Sequence, residues 1–323
     1  MNRWLRTGAI GIATSLLAVT GAPGHGASSA PAITMSQDSS ILDPFVPASG
    51  RLLIPFRLKT GYILVDARVN GTPGVFLFDT GTPMTFFLNR ALAPLDKGQA
   101  LSFGKATSGQ SFQLFLHDKV KHIEVASRLH FADLGGLRSA DFGFVQAGIA
   151  SGFLGFMGYP LFKPYEFTID YAAREIAVRR APGPADGDQP PPGASVKIAT
   201  FSIPTVGLQP GSMTLQAGDI ALPAYFDSGS PGLLKLTDSD RAYLLAAGVL
   251  VPWAKGKGRD RSGPKLYALK AVTYQGKAFT IDELAVESAA ADMLSIGYPF
   301  LKHYRSVWNA DLGTITLWDA KVH

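Results

Sequence analysis

Cysteine is absent from the 323-residue chain. That removes disulfides, thiolate catalysis, cysteine-ligated zinc and a lipidated N-terminal cysteine. Charge is scarce as well: 17% of residues are charged against 46% hydrophobic, a balance that suits a globular chain with a real core. The formal net charge of +5 is modest and spread along the chain, so it names no nucleic-acid partner. The densest basic stretch, KGKGRDR at 255–261, is glycine-rich and reads as a solvated loop. Beyond the first residues, no run is long and apolar enough to cross a bilayer. No Gly-x-Ser-x-Gly surrounds Ser228 or Ser230, so the serine-hydrolase signature is missing. GFLGFMG at 152–158 lacks dinucleotide-loop spacing. His117, His122 and His130, near Asp118 and Asp133, are spaced by 5 and 8, which does not put them on one face of a strand. No metal and no cofactor is expected.

Glycine and proline, by contrast, are plentiful, at 35 and 22. With β-branched and aromatic runs they predict a mainly β fold of short strands and tight turns. Alternation or apolar continuity marks strands at 62–71, 74–79, within 112–127 and at 265–276. Few helices are expected. Residues 237–248 carry cap residues, an apolar helical pattern and a glycine stop, and 88–95 read as a short counterpart. The opening residues combine Arg3 and Arg6 with an apolar stretch from Thr7 to Thr20 and small residues after it. This predicts an export signal over 1–30, cleaved between Gly21 and Ala32. Export without disulfides fits a bacterial periplasm or exterior.

The segment APGPADGDQPPPGAS, 181–195, has no apolar periodicity and reads as a linker. It separates a unit spanning 31–180 from one spanning 196–323, and the two repeat each other. GYPLFKPYEFTIDYAAREIAV at 158–178 aligns without gaps to GYPFLKHYRSVWNADLGTITL at 297–317. Upstream, FLFDTGTPM at 76–84 answers AYFDSGSPG at 224–232. Each half thus runs apolar strand, Asp turn, middle region, Gly-Tyr-Pro, closing strand.

An aspartate ending a buried strand needs an explanation, because a lone buried carboxylate is costly. Hydroxyls beside it and three residues on can hydrogen-bond the acid and nearby backbone, and glycine allows a second backbone to approach. Two such turns face to face bring their carboxylates together, and one proton is then shared. One acid can deprotonate a water while the other protonates a carbonyl oxygen, which hydrolyses an amide without metal or covalent intermediate.

These turns, Asp79-Thr80-Gly81-Thr82 and Asp227-Ser228-Gly229-Ser230, resemble those of aspartic peptidases of the pepsin and retropepsin superfamily, most closely bacterial single-chain members with two fused copies of the unit. Phe156-Met157-Gly158 and, less perfectly, Ser295-Ile296-Gly297 resemble the family's hydrophobic-hydrophobic-glycine element. The likeness spans about residues 50 to 320. It implies a two-lobed, pseudo-twofold acid-protease fold and an endopeptidase with Asp79 and Asp227 as the catalytic dyad. It also implies that Thr80 and Ser228 interlock the turns, that Thr82 and Ser230 contact the outer carboxylate oxygens, and that Gly81 and Gly229 shape the turns. A flap hairpin is implied at 105–111, around Ser108 and Gly109, with a parallel at 259–265 around Ser262 and Gly263. The pepsin-type flap tyrosine has no equivalent, since no Tyr lies between Asp79 and Gly158. Pro83 and Pro231 follow the motifs where a free N–H would otherwise be available. Polypeptide substrates and a monomer follow from the resemblance, with no nucleic acid and no membrane after signal removal. A pepsin-like binding or inhibitor protein without catalysis is the alternative.

Overall fold

The computed structural model describes residues 41–106, 110–181, 189–206, 209–253 and 265–320. The predicted signal segment and most of the predicted linker's centre lie outside them. The chain is mainly β with few short helices. Among the described residues, no helix is long and apolar enough to cross a membrane.

Three large sheets carry the architecture. The first half holds the strand order Tyr62–Val69, Thr72–Asp79, Phe153–Gly158, Phe86–Asn89, Leu137–Ala140, Ser111–His117, Gln99–Lys105, with Val120–Val125 and Leu129–Leu134 added beyond Tyr62–Val69. The second half repeats that order as Met213–Ala217, Ile220–Phe226, Met293–Ile296, Leu233–Leu236, Lys277–Ser288, Leu266–Tyr274, Leu250–Pro252. In both, the strand carrying an Asp turn lies parallel to the strand before Gly-Tyr-Pro. Parallel neighbours need crossover connections, which is why the two strands are far apart in sequence.

The third sheet joins the halves. Its six strands run Leu52–Pro55, Glu175–Arg180, Tyr165–Asp170, Tyr304–Asn309, Thr314–Asp319, Lys197–Ser202. The central antiparallel pair places Thr168 opposite Val307, and these two are equivalent in the Gly158–Gly297 alignment, so the repeat axis passes between them. Phe167 and Trp308, opposite each other in that register, stack at 5.5 Å. One continuous core runs from Leu42 to Leu317 across both halves.

Side-chain alternation links this core to the Asp turns. Phe78, one residue before Asp79, points down onto Phe162 and Phe167 at 5.1 and 5.9 Å. Phe226, one residue before Asp227, meets Trp308 at 6.1 Å. The aromatic below fixes each strand end, and the next residue faces the opposite way.

The predicted helix at 237–248 is present as Asp238–Ala246, capped by Thr237, whose hydroxyl accepts the Asp240 N–H. The predicted helix at 88–95 is not. Phe86–Asn89 is a buried strand between Phe153–Gly158 and Leu137–Ala140, followed by a turn in which Ala93 donates to the Asn89 carbonyl. Pairing on both edges overrides local helical preference, and Pro94 cannot donate within a helix. Short helical turns stand at both Gly-Tyr-Pro blocks, Tyr159–Leu161 and Tyr298–Leu301, and Gly143–Gly148 forms a helix that the pattern did not announce.

Candidate active site

Asp79 and Asp227 are both fully buried and hydrogen-bonded to each other. Their turns are built alike. Thr82 N–H donates to the Asp79 carbonyl and Ser230 N–H to the Asp227 carbonyl, each at 3.1 Å. Gly81 N–H donates to Asp79 Oδ1 and Gly229 N–H to Asp227 Oδ1, each at 2.8 Å. Because these amide bonds close each turn, Pro83 and Pro231 deprive it of no donor that it uses.

The turns are also locked across the axis. Thr80 N–H donates to Ser228 Oγ and Ser228 N–H to Thr80 Oγ1, both at 3.0 Å, and Ser228 Oγ donates to the Phe78 carbonyl at 3.2 Å. All these groups are buried, so each bond spares an N–H that would otherwise be stranded. The glycines make the approach possible. A Cβ on Gly229 would stand 2.5 Å from Asp79 Cγ and Oδ1, and one on Gly81 would stand 3.1 Å from the Asp227 carboxyl group. Glycine is required at both turns for proximity, not for backbone conformation.

The outer hydroxyls differ. Thr82 Oγ1 donates to Asp79 Oδ2 at 2.8 Å. Ser230 Oγ accepts the Gly232 N–H at 3.1 Å. Burial above all, then the Asp227 charge and its hydrogen bond, hold the Asp79 carboxyl well above the usual carboxylate range, while Thr82 and Gly81 pull it down. Two acids this close in a dry site keep one proton between them. Such a pair can accept a proton at one oxygen while giving one from another.

The arms of the hairpin predicted around 105–111 are present. Gln99–Lys105 pairs antiparallel with Ser111–His117, and Ala106 N–H donates to the Gln110 carbonyl. Ser108 and Gly109 themselves lie outside the described residues. So do Ser262 and Gly263, between strands Leu250–Pro252 and Leu266–Tyr274, which also pair antiparallel. Ser295, standing where Phe156 stands in the first half, is fully buried with no partner for its Oγ among the described residues.

The histidines are placed apart. His122 and His130 stack on neighbouring strands at 5.8 Å, and no metal-sized group of ligating side chains occurs among the described residues. His117 belongs to a relay that sequence spacing did not suggest: Nδ1 meets Asp96 Oδ1 at 2.5 Å and Nε2 meets Ser139 Oγ at 2.7 Å. The order is that of a hydrolase triad, but the exposure is inverted. The serine is fully buried and the Asp96 side chain is 59% exposed. A nucleophile closed off from substrate cannot attack it, so the relay ties the base of the hairpin to strand Leu137–Ala140.

Sequence reasoning also missed Tyr171. It packs edge-on against Tyr298 at 5.2 Å, and Tyr298 N–H donates to the Ser230 carbonyl in the Asp227 turn. No local motif marks it; only the three-dimensional closure brings it against Tyr298. No family model and no curated protein sequence matches this chain.

Proposed function

We propose that this protein is an aspartic endopeptidase of the pepsin and retropepsin kind, with both lobes in one chain and Asp79 and Asp227 as its catalytic acids. The observation that carries the reading is the buried, mutually hydrogen-bonded acid pair at the meeting of two equivalent turns. The repeated strand order and the six-stranded sheet between the halves support a two-lobed acid-protease fold.

The reaction follows from one proton held by two acids. The ionised carboxyl takes a proton from a water whose oxygen attacks the peptide carbonyl carbon. The protonated carboxyl gives its proton to the carbonyl oxygen. The carboxyl that took the water's proton gives it to the amide nitrogen while the other carboxyl takes a proton from a diol hydroxyl, the C–N bond breaks, and the pair is left with its single proton. Thr80 and Ser228 hold the turns in register, Gly81 and Gly229 give the acids room, and Thr82 supports the anion on Asp79. Substrates are polypeptides, the site needs no second copy of the chain, and the place of action is the bacterial periplasm or exterior.

The test is cleavage of a mixed peptide library by the mature chain across pH, with and without pepstatin. Cleavage blocked by pepstatin supports the reading. A folded chain that binds pepstatin but cuts nothing overturns it in favour of a binding protein.

A further inference from the structure

The six-stranded sheet between the halves has one face on the core and one turned away from it. Phe167 and Trp308 belong to the core, so alternation turns Glu166, Thr168, Val307 and Asn309 to the other face. There an open cleft of about 370 Å³ lies over the repeat axis, lined from the sheet by Thr168, Ala177 and Val307. Gly50 and Arg51, just before strand Leu52–Pro55, line it as well, and so do residues 190–192 at the end of the predicted linker. The linker end is tied down. Pro191 is buried, Ala194 N–H donates to its carbonyl at 3.0 Å, and Asp319 Oδ1 accepts the N–H groups of Ser195 and Val196 at 2.7 and 2.9 Å.

Donors outnumber acceptors on this face. Glu166 and Arg179, both in the cleft lining, are spent on each other: Nε and Nη2 of the arginine reach Oε1 of the acid at 2.6 and 2.5 Å. Arg180, also in the lining, is half-exposed and meets Asp43 and the Val46 carbonyl only at 3.4 Å. Arg51 is exposed and makes no ion pair or hydrogen bond among the described residues. Two further donors flank Val307 on the same strand face. Arg305 and Asn309 are 8% and 4% exposed, yet Arg305 Nη1 and Asn309 Nδ2 have no partner among the described residues. Gly193 passes close over the first of these: a Cβ there would stand 3.0 Å from Arg305 Nη1. Buried donors left unmade are costly, so a face that keeps them is short of an acceptor.

We propose that this cleft is a binding site for a small organic anion, its charged head group held by Arg51 and Arg180 and its apolar body laid on Ala177, Val307 and Pro191. A guanidinium fork matches the oxygens of a carboxylate or a phosphate alike. The apolar lining is what selects an organic anion over a bare inorganic one. At the ~30 Å³ that a water occupies in the liquid, the cleft takes a ligand of roughly a dozen non-hydrogen atoms. The site is separate from the acid pair. Phe167 and Trp308, on the opposite face of the same strands, pack towards Phe78 and Phe226, which precede the two acids. The inference therefore goes beyond the peptidase reading and does not rest on it.

Benzoate and phenyl phosphate are the probes, with neutral benzamide and inorganic phosphate as controls, each titrated into the full chain by calorimetry and by backbone amide spectra. One or both probes should bind with a Kd on the order of a millimolar and move the amide signals of Thr168, Arg179 and Val307. The tighter of the two identifies the head group. Benzamide, which lacks the charge, and inorganic phosphate, which lacks the body, should each bind at least about tenfold more weakly. Arg51→Gln removes an exposed side chain without a partner, so the fold should survive it, and binding should weaken by about tenfold, the loss of one charge-assisted bond. Benzamide or inorganic phosphate binding as well as the probes, binding indifferent to Arg51→Gln, or amide signals that stay still at these residues overturns the proposal. Asp186 and Asp188 precede Gln189 in the sequence. Binding that appears only when both are changed to Asn would mean that the chain's own acids take the arginines, and would overturn it too.

Discussion

Replacing the two acids by their amides, Asp79→Asn together with Asp227→Asn, should remove activity and at the same time change how stability depends on pH. The unfolded chain releases an aspartate proton near the ordinary value of 3.8, while folded Asp79 keeps its proton to well above that. Between those two values the native state binds more protons than the unfolded one, so stability must fall as pH rises. The slope for one retained proton is at most about 1.4 kcal/mol per pH unit. The contribution is fully present below the unfolded value and is lost as pH rises through the folded one. The amides cannot titrate, yet they keep the shape of the site and leave oxygens to accept the Gly81 and Gly229 N–H groups. The difference in unfolding free energy, double variant minus wild type, should therefore climb from pH 4 upward until the folded value is passed. Other titrating groups cancel in that difference. Urea unfolding followed by tryptophan fluorescence, with Trp308 in the core, measures it at each pH. A difference that is flat from pH 4 to 8 would mean that the pair holds no extra proton, and the shared-proton mechanism would be wrong even if the fold were right.

The single variants Asp79→Asn and Asp227→Asn should each lower peptide cleavage by at least the ~10²-fold of one lost acid–base group, measured on folded protein; a rate within tenfold of wild type would refute the dyad. Gly229→Ala forces a Cβ to 2.5 Å from Asp79, Gly81→Ala only to 3.1 Å from Asp227. Both should cut less, with Gly229→Ala losing on the order of 10²-fold and Gly81→Ala less; the reverse order would contradict the geometry. Activity should be bell-shaped with an acidic optimum, and Thr82→Ala should move its alkaline limb upward because Asp79 Oδ2 loses its donor. Ser230→Ala should move the limb less, since the bond seen for its hydroxyl is with the Gly232 N–H; equal shifts would show that both hydroxyls serve the acids alike. Ser228→Ala strands the buried Thr80 N–H and should cost about 1–3 kcal/mol in urea unfolding; no loss would mean that the turns are not locked together by these bonds.

What the sequence reveals of this molecule is what repeats. The Asp turns and Gly-Tyr-Pro blocks are legible because each is a local solution, a strand end with its own glycine and hydroxyls, written twice at similar offsets. The strands at 62–71 and 74–79 are legible because alternation and apolar continuity are local too. What local pattern misses is decided by partners far along the chain. Residues 88–95 have helical composition, but Asn89 ends a strand held on both edges by segments some fifty to seventy residues away. Asp96, His117 and Ser139 share no period, and only the adjacency of two strands and a loop makes them a relay.

Departures from the repeat are more informative than the repeat itself. Two identical turns would leave the acids equivalent, with no reason for either to be base or acid. The halves are not identical where they touch the pair: Thr82 donates to one carboxyl while Ser230 is engaged by Gly232. The framework, with its matched 3.0 and 2.8 Å bonds, fixes where the carboxyls are. A difference of one hydrogen bond, worth about a kcal/mol, is enough to favour one location of a shared proton by several-fold. On the proposed peptidase reading, the symmetric bonds set where the carboxyls stand, and the Thr82 bond favours the negative charge on Asp79.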